Sequence, residues 1–481
     1  MEVRTRFAPS PTGMLHIGGL RTALYEFLWA RKNNGKFILR VEDTDKARTV
    51  PGALENIVQT LKDFRLNFDE GPYLQSKRLD IYKKHAEELV EKQAAYYCFC
   101  TEERLVALRK EQEAKKIPPK YDKHCLKLSA DEIKGKLQNG EPHVIRLNVL
   151  PNKRIRFTDL VHGEIDVSSN DLDDQVLIKS DGFPTYHLAV VVDDHLMKIS
   201  HVIRGEEWIP STPKHILLYS AFGWESPQFV HTPNILGKSG KKLSKREGEV
   251  AVKDFVEKGY LPEALLNFVA FLGWNPKTEQ EIFNLRELVD QFSLAKLNRA
   301  GAVFDLDKLD WINGLYIRRM KIEELFARAV PYLVKAGINL QDYPKQFIEK
   351  VLQLEQDRLK KLSEVGERVG YFFREPSYDP SLLIWKNAPK EAILKNLEAL
   401  SSFVQTLDPK EFSKENLEQK IKAWIAQNNM KTGEVLWPLR VALTGLDASP
   451  GPFEIMDAFS ALPNGKELVV RRINKATELL F

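Results

Sequence analysis

The 481-residue chain carries 43% hydrophobic and 29% charged residues with a formal net charge of +4. That composition suits globular domains, about three on a prior of roughly 150 residues each, and leaves nucleic-acid binding to local basic patches. No apolar run approaches the roughly 20 residues of a membrane helix, and "MEVRTRFAPS" lacks the apolar stretch of a signal peptide; a cytoplasmic protein without a membrane partner is expected, and three cysteines in so long a chain exclude a disulfide framework and fit a reducing compartment.

In chain order, residues 1–98 alternate strand and helix patterns. "EVRTRFAPSP" is a strand ending in prolines, "GLRTALYEFLWARKNN" has apolar residues at helical spacing, and "GKFILRVED" is a second strand ending in acids, together a βαβ unit. From 99 to 175 the pattern changes to a charged helix, "TEERLVALRKEQEAKK", a loop, and the strands "PHVIRLNV", "KRIRFTDLVHGEIDV" and "DQVLIKS", which predicts an insertion with its own sheet. The α/β pattern returns in "TYHLAVVVDDHLMKISHVIRGEEW", followed by a helix starting at the "STP" cap with Pro213 at an early position. Beyond about 255 the text predicts helices almost only, among them "PEALLNFVAFLGW", "KIEELFARAVPYLVKAG" and "QDRLKKLSEVGERVGYFF".

Two stretches carry chemistry. "GMLHIGGLRTALYEFLWARK", residues 13 to 32, opens a helix on His16, Gly18 and Gly19, which add little to helix stability. A helix N-terminus offers free N–H groups and partial positive charge to an anion, and glycines there admit a ligand to the backbone; the alternative is a glycine turn whose histidine meets a neighbouring carbonyl. "GKSGKKLSKREGEV", residues 237 to 250, gathers Lys238, Lys241, Lys242, Lys245 and Arg246 on a glycine-rich loop. It reads either as a solvated basic loop or as mobile point charges reaching a polyphosphate.

"RFAPSPTGMLHIGG" and "KKLSKR" resemble the two signature motifs of class I aminoacyl-tRNA synthetases, in the form of bacterial-type glutamyl-tRNA synthetases. "RVEDTDKART", "GEEWIPSTPKH" and "GEVLWPLRVALTGLDASPGPFE" extend the resemblance over nearly the whole chain in the right order. It implies an α/β fold: a Rossmann-type catalytic domain in residues 1–98 and 176–254, an inserted α+β acceptor-end-binding domain in 99–175, a helical stem-contact region in 255–319 and an all-α anticodon-binding region in 320–481. The implied activity is ATP-dependent attachment of L-glutamate to tRNA(Glu) by a monomer, with Mg²⁺ accompanying the nucleotide. The α-carboxylate attacks the α-phosphorus of ATP, and the terminal ribose hydroxyl of the tRNA then attacks the activated carbonyl. Charge develops on phosphate oxygens, so preplaced donors matter more than a general base.

By resemblance the catalytic residues are His16, Gly18, Gly19, Lys242, Ser244 and Lys245. Pro9, Ser10, His16, Gly18, Glu207, Lys245 and Arg246 would hold ATP. Arg6 and Arg204 are candidates for the carboxylates of glutamate, since guanidinium forks pair with carboxylates; Glu42 would meet the α-amino group, Ala8 and Ser10 line the pocket, and Tyr186 supplies a hydroxyl. Some relatives have asparagine where Val190 stands, and valine makes no polar contact there.

Cys98, Cys100 and Cys125 depart from paired Cys-x2-Cys zinc spacing. Some glutamyl-tRNA synthetases bind zinc in this insertion with a fourth ligand two residues after the last cysteine, here Lys127, a poor ligand. Tyr121 or His124 would complete a structural Zn²⁺ site; metal-free thiols are the alternative. In the C-terminal half, Arg358, Lys360, Lys361 and Arg368 stand near Tyr371, Phe372 and Phe373, a solvated basic helix face over a core aromatic run. Arg358 is the exception, falling where the family places an arginine near the third anticodon base in members that charge only tRNA(Glu). Four other functions compete. An enzyme that also charges tRNA(Gln) would need a partner amidotransferase. A small nucleotidyltransferase, or a shortened relative that glutamylates a tRNA base, would have no use for the helical half. A non-catalytic tRNA-binding paralogue would be expected to lose the histidine or the loop lysines, which are present.

Overall fold

The computed structural model describes residues 2–243 and 250–481. Its strands in chain order are β1 (Arg4–Phe7), β2 (Lys36–Val41), β3 (Glu70–Leu74), β4 (Ala95–Cys98), β5 (Val144–Leu147), β6 (Arg154–Asp159), β7 (Gly163–Ser168), β8 (Val176–Ile178), β9 (His201–Gly205), β10 (Gln228–Thr232), β11 (Ile235–Leu236) and β12 (Ala302–Val303). The chain divides into two compact units, Met1–Phe255 with Pro262–Leu306, and Val256–Leu261 with Asp307–Phe481, rather than the three that length alone suggests. Among the described residues no helix is long and apolar enough to cross a membrane.

In the first unit β1, β2 and β3 pair in parallel, and β9 and β10 form a second parallel ladder. The two sheets meet at β1 and β9, where the Ser200 backbone N–H donates to the Arg4 carbonyl at 2.9 Å. The order therefore runs outward from β1 in both directions, as in a doubly wound nucleotide-binding fold. The helix Ile17–Lys32 covers this sheet. Two glycines in its first turn weaken it by about 1 kcal/mol each relative to alanine. Fully buried Ile17, Leu20, Leu24 and Leu28 each contribute about 1.5–3 kcal/mol, so packing outweighs propensity.

The segment expected to own a sheet shares its strands between two. β4, β5 and β8 form an antiparallel sheet, whereas the β6–β7 hairpin adds to the edge of β10. In β6 the side chains alternate, Ile155, Phe157 and Asp159 inward and Arg154, Arg156 and Thr158 outward, so Phe157 meets Phe229 of β10 edge-on at 6.0 Å. That buried face, which alternation alone does not assign to a partner, carries the hairpin to β10. The helix Thr212–Phe222 has Pro213 in its first turn, but Ser211 makes no side-chain cap; a 3-10 turn, Glu206–Ser211, leads into it instead.

The second unit is helical throughout its described residues. "QDRLKKLSEVGERVGYFF" is not one helix. A 3-10 turn, Gln356–Arg358, and another, Leu362–Glu364, precede the helix Val365–Phe373. The break admits residues 258–261: the Leu362 N–H donates to the Gly259 carbonyl at 3.0 Å and Asn313 Nδ2 donates to the Lys360 carbonyl at 2.6 Å. Gly259 has φ of +85°, and a Cβ there would lie 2.5 Å from the Ser363 nitrogen, so only glycine fits.

Candidate functional site

Open parallel sheets take ligands at the carboxyl ends of their strands, where the order reverses. Here that crevice lies between the ends of β1 and β9. Past β1 the chain runs through half-buried Ala8 and Pro9 to exposed Ser10, and the Pro9 carbonyl accepts the Glu42 N–H at 3.0 Å, which brings Glu42 at the end of β2 to the same edge.

His16 is the N-cap of the helix Ile17–Lys32: its Nδ1 accepts the Gly19 N–H at 3.0 Å. With Nδ1 as acceptor, the neutral ring carries its proton on Nε2 and is a donor on that side. The glycines make room for this cap. A Cβ on Gly18 would lie 3.1 Å from the His16 ring, and one on Gly19 2.7 Å from Leu15. The Val250 carbonyl accepts the Ile17 N–H at 2.8 Å and Leu243 N–H donates to the Ile235 carbonyl at 2.8 Å. Ser244, Lys245 and Arg246 lie outside the described residues. Lys242 Nζ donates to Glu207 Oε1 at 2.9 Å, joining the exposed ends of a predicted catalytic lysine and a predicted ATP contact; Lys238 and Lys241 are exposed on the same loop.

Opposite them, Arg204 of β9 is 6% exposed and donates only to neutral groups. Nε lies 3.1 Å from His231 Nε2, Nη1 lies 2.8 Å from the Tyr186 hydroxyl and 3.4 Å from His215 Nδ1, and Nη2 lies 2.7 Å from Thr212 Oγ1. Burial and the charge of Arg204 depress His215 well below the ordinary histidine range and keep it neutral. Among the described residues no carboxylate forms an ion pair with Arg204. Tyr186 is packed 4.4 Å from Trp208, ring to ring. Val190, on the same helix as Tyr186, is buried in the apolar core.

Arg6 differs. It is buried with Nε 3.0 Å from Asp194 Oδ1 and Nη1 3.3 Å from Glu26 Oε1, and Arg40 shares the same Asp194 oxygen at 2.7 Å. Arg6 thus enters the site as part of a charge-matched network, not as a lone cation. Arg40 Nη2 also lies 3.5 Å from Glu42 Oε1. Burial pushes the Glu42 carboxyl up to about 7, against the pull of Arg40 and Arg6, and pushes Glu26 up to about 8. An ammonium group arriving at Glu42 would favour its ionised form.

The cysteines converge away from this crevice. The Sγ atoms of Cys98, Cys100 and Cys125 all lie within 4.8 Å of one another, and the Tyr121 hydroxyl stands 3.4 Å from Cys98 Sγ and 3.2 Å from Cys100 Sγ. His124 and Lys127 are exposed. Burial opposes ionisation of Cys98, but its hydrogen bonds with Tyr121, the Cys100 backbone and Arg146 hold its thiol below the usual range. Arg104 donates to Cys100 Sγ at 3.4 Å. Soft donors among cationic and N–H groups fit a thiophilic metal.

In the helical unit Arg358 is exposed at the end of its 3-10 turn, with Nη2 3.3 Å from the Ser449 carbonyl. Lys361 is tied to Asp310 at 3.5 Å and Arg368 lies 3.7 Å from buried Glu355; Lys360 is exposed. Tyr371 and Phe372 are core residues, and Phe373 packs on Tyr343 at 4.9 Å, so the aromatic cluster serves packing.

Sequence reasoning missed Glu26, Asp194, Thr212, His215 and His231. Glu26 and His231 read as single polar residues in apolar runs, Asp194 as one of an acid pair, and Thr212 and His215 as part of a helix start; only the fold gathers them around the two arginines.

A nucleotide-type sheet whose switch point joins a histidine-capped helix to an uncompensated buried guanidinium defines an α/β scaffold for activating an anionic substrate. The class I tRNA synthetase (E and Q) catalytic domain matches residues 2–311 and an anticodon binding domain matches 324–477; the chain belongs to this family. Among curated relatives it is 45% identical to a glutamate–tRNA ligase of Finegoldia magna, covering 99% of each chain. It is 46% identical to that of Alkaliphilus metalliredigens, covering 100% of each. A crystal structure of a glutamate tRNA ligase from Elizabethkingia meningosepticum in complex with its amino acid superposes with a TM-score of 0.92 at 37% identity, covering 100% of both chains.

Proposed function

We propose that this chain ligates L-glutamate to tRNA(Glu) through glutamyl adenylate in the cytoplasm. Family membership and full-length relatives that are glutamate–tRNA ligases support it; the observation that carries the amino-acid choice is Arg204, a buried cation with neutral partners only. In the first step an α-carboxylate oxygen attacks the α-phosphorus of ATP and pyrophosphate departs. In the second, the terminal ribose oxygen attacks the carbonyl, its proton is lost and AMP leaves.

The Gly18 N–H and the positive end of the helix, with His16 Nε2–H, donate to the phosphates. Pro9, Ser10 and Glu207 would border the nucleotide, and Lys242, Ser244, Lys245 and Arg246 the leaving pyrophosphate. Glu42 meets the α-ammonium beside Ala8 and Ser10, and Arg6, held in place by Asp194 and Glu26, would be the second guanidinium for the carboxylates of glutamate. Arg204 takes the side-chain carboxylate, and Tyr186, whose oxygen accepts from Arg204, is left to donate its own proton to the same group. Among the described residues the cysteines form the one close group of potential metal ligands, so Mg²⁺ would be held chiefly by phosphate oxygens. Residues 1–98 with 176–254 would bind nucleotide and glutamate, 99–175 the acceptor end, 255–319 the stem and 320–481 the anticodon. The test is charging of purified tRNA(Glu) with glutamate, alongside pyrophosphate exchange with and without tRNA; absence of glutamate charging overturns the assignment.

Cys98, Cys100, Cys125 and Tyr121 would hold Zn²⁺, which would cross-link β4 to the turn His124–Lys127 and supply no step of the reaction. Elemental analysis is expected to find about one zinc per chain, lost in Cys98→Ser and Cys125→Ser, as a closed four-ligand site requires. A stoichiometry near zero in unchelated protein excludes it.

Choice of tRNA would rest on Arg358, whose guanidinium favours a cytosine carbonyl and disfavours guanine. Arg358→Gln is expected to reduce the preference for tRNA(Glu) over tRNA(Gln) by about 1–3 kcal/mol, the scale of one base contact. A phosphate contact would instead weaken both tRNAs alike and lower the salt slope by about one. Charging of both tRNAs at two salt concentrations separates the outcomes.

A further inference from the structure

Arg204 is oriented by a relay that begins two strands away. Asp159, the last residue of β6, is 1% exposed. Its Oδ1 accepts the backbone N–H groups of Val161 at 2.9 Å and His162 at 2.8 Å. Its Oδ2 accepts the backbone N–H of His231 at 3.0 Å and faces the His231 ring Nδ1 at 2.7 Å. The opposite ring nitrogen, Nε2, is the one 3.1 Å from Arg204 Nε. A guanidinium has donors and no acceptor, so this contact requires a bare Nε2. The carboxylate on the other side compels that state by drawing the ring proton to Nδ1.

Electrostatics agree with this geometry. Burial and the Arg204 charge hold His231 below the ordinary histidine range, against the pull of Asp159. Burial would raise Asp159, but the hydrogen bonds from His231, His162 and Val161 hold its carboxyl below the usual range. An ionised Asp159 and a neutral His231 are the pair that present an acceptor to Arg204.

We propose that Asp159 and His231 are positioning residues for glutamate selection: the carboxylate fixes the ring tautomer, Nε2 holds the Arg204 Nε–H, and the guanidinium so oriented keeps the Nη2–H that Thr212 does not take for the substrate's side-chain carboxylate. The proposal rests on Arg204 as that carboxylate's site. It makes the β6–β7 hairpin part of the selection of the amino acid, with both residues acting through Arg204.

Asparagine at 159 tests the tautomer. Its amide nitrogen must face either the two backbone N–H groups at Oδ1, which cannot move their protons, or the His231 side, where one backbone N–H opposes it but the ring can answer by shifting its proton to Nε2 and turning a donor on Arg204. The paired test is on His231 itself. In His231→Gln the side-chain oxygen reaches the Nε2 position and keeps an acceptor for Arg204, whereas in His231→Asn the amide reaches only the Nδ1 position and leaves Arg204 Nε without a partner.

The experiment is steady-state charging of tRNA with the full chain, measuring KM for glutamate and for ATP. His231→Asn and Asp159→Asn are expected to raise KM for glutamate about tenfold or more, the scale of one hydrogen bond to a charged group, with KM for ATP and kcat within about threefold. His231→Gln should stay within about threefold of wild type, and adding Asp159→Asn to it should change little, because glutamine has no tautomer to fix. Equal effects of His231→Asn and His231→Gln, or a parallel rise in KM for ATP, overturn the positioning role in favour of a plain staple between β6 and β10. Arg204→Gln is the control: if it raises KM for glutamate while the Asn variants do not, the relay is wrong and the site stands. If Arg204→Gln leaves that KM unmoved, the carboxylate site itself is wrong.

Discussion

Replacing Arg204 with glutamine is expected to lower kcat/KM for glutamate by about 3–5 kcal/mol, the range for removing one member of a buried charge pair, and to leave thermal stability unimpaired. The two halves have one cause. In the ligand-free protein the guanidinium is buried against Tyr186, Thr212, His215 and His231, none of which offsets its charge, so its removal takes no ion pair from the fold. In the complex the substrate carboxylate would be that missing counter-charge, and without Arg204 it is desolvated against neutral groups. Glutamine at 204 presents an amide that an uncharged substrate amide can meet, so the margin between glutamate and glutamine should narrow as well. Charging assays with both amino acids, alongside a melting curve, check each part. Unaltered glutamate kinetics would move the carboxylate elsewhere. A large fall in Tm would mean that Arg204 is a structural cation like Arg40, which is held by Asp194 at 2.7 Å.

Local pattern was enough to locate β1, the helix Ile17–Lys32 and β2, because a β-branched and aromatic run ending in prolines, a glycine-marked helix start and an acid at the strand end are all written within a few residues of each other. For the site it marks His16, ahead of two glycines at a helix start, whereas Glu42 and Arg204 enter only through the family resemblance. What pattern does not encode is which edge a strand joins. β6 and β7 read as strands, but their addition to β10 depends on Phe157 meeting Phe229 across a chain separation no window spans, and Asp159 reaches His231 only through that choice. The break at residues 359–361 has the same origin. Their spacing is helical, and the override comes from residues 258–261, which need the gap. The cysteine spacing left Tyr121 and His124 equally open as partners; the fold turns the Tyr121 hydroxyl to the thiols and leaves His124 exposed.

His16 combines two roles that one substitution cannot separate and two can. Nδ1 caps the helix through the Gly19 N–H at 3.0 Å, and the proposed donor to ATP is Nε2–H on the opposite side of the ring. His16→Ala should lose both: about 1 kcal/mol of stability for the cap and about 10²–10³ in the rate of adenylate formation for the missing transition-state donor. His16→Asn should lose only the second. Asparagine is among the best N-caps, and its side-chain oxygen takes the position of Nδ1, but nothing extends to where Nε2 was. The expected result is a melting temperature near wild type with a rate as low as that of the alanine variant and KM for glutamate little changed, measured by pyrophosphate exchange under the conditions that support it in the wild type. If His16→Asn keeps the wild-type rate, the histidine is a cap and no more, and the phosphates are held by the Gly18 N–H, the helix dipole and the lysine loop without it. If instead both variants fall in stability together, glycine at 18 and 19 has left the first turn too weak for asparagine to hold, and the ring's packing against Gly18, where even a Cβ would come within 3.1 Å, is what fixes the start of the helix.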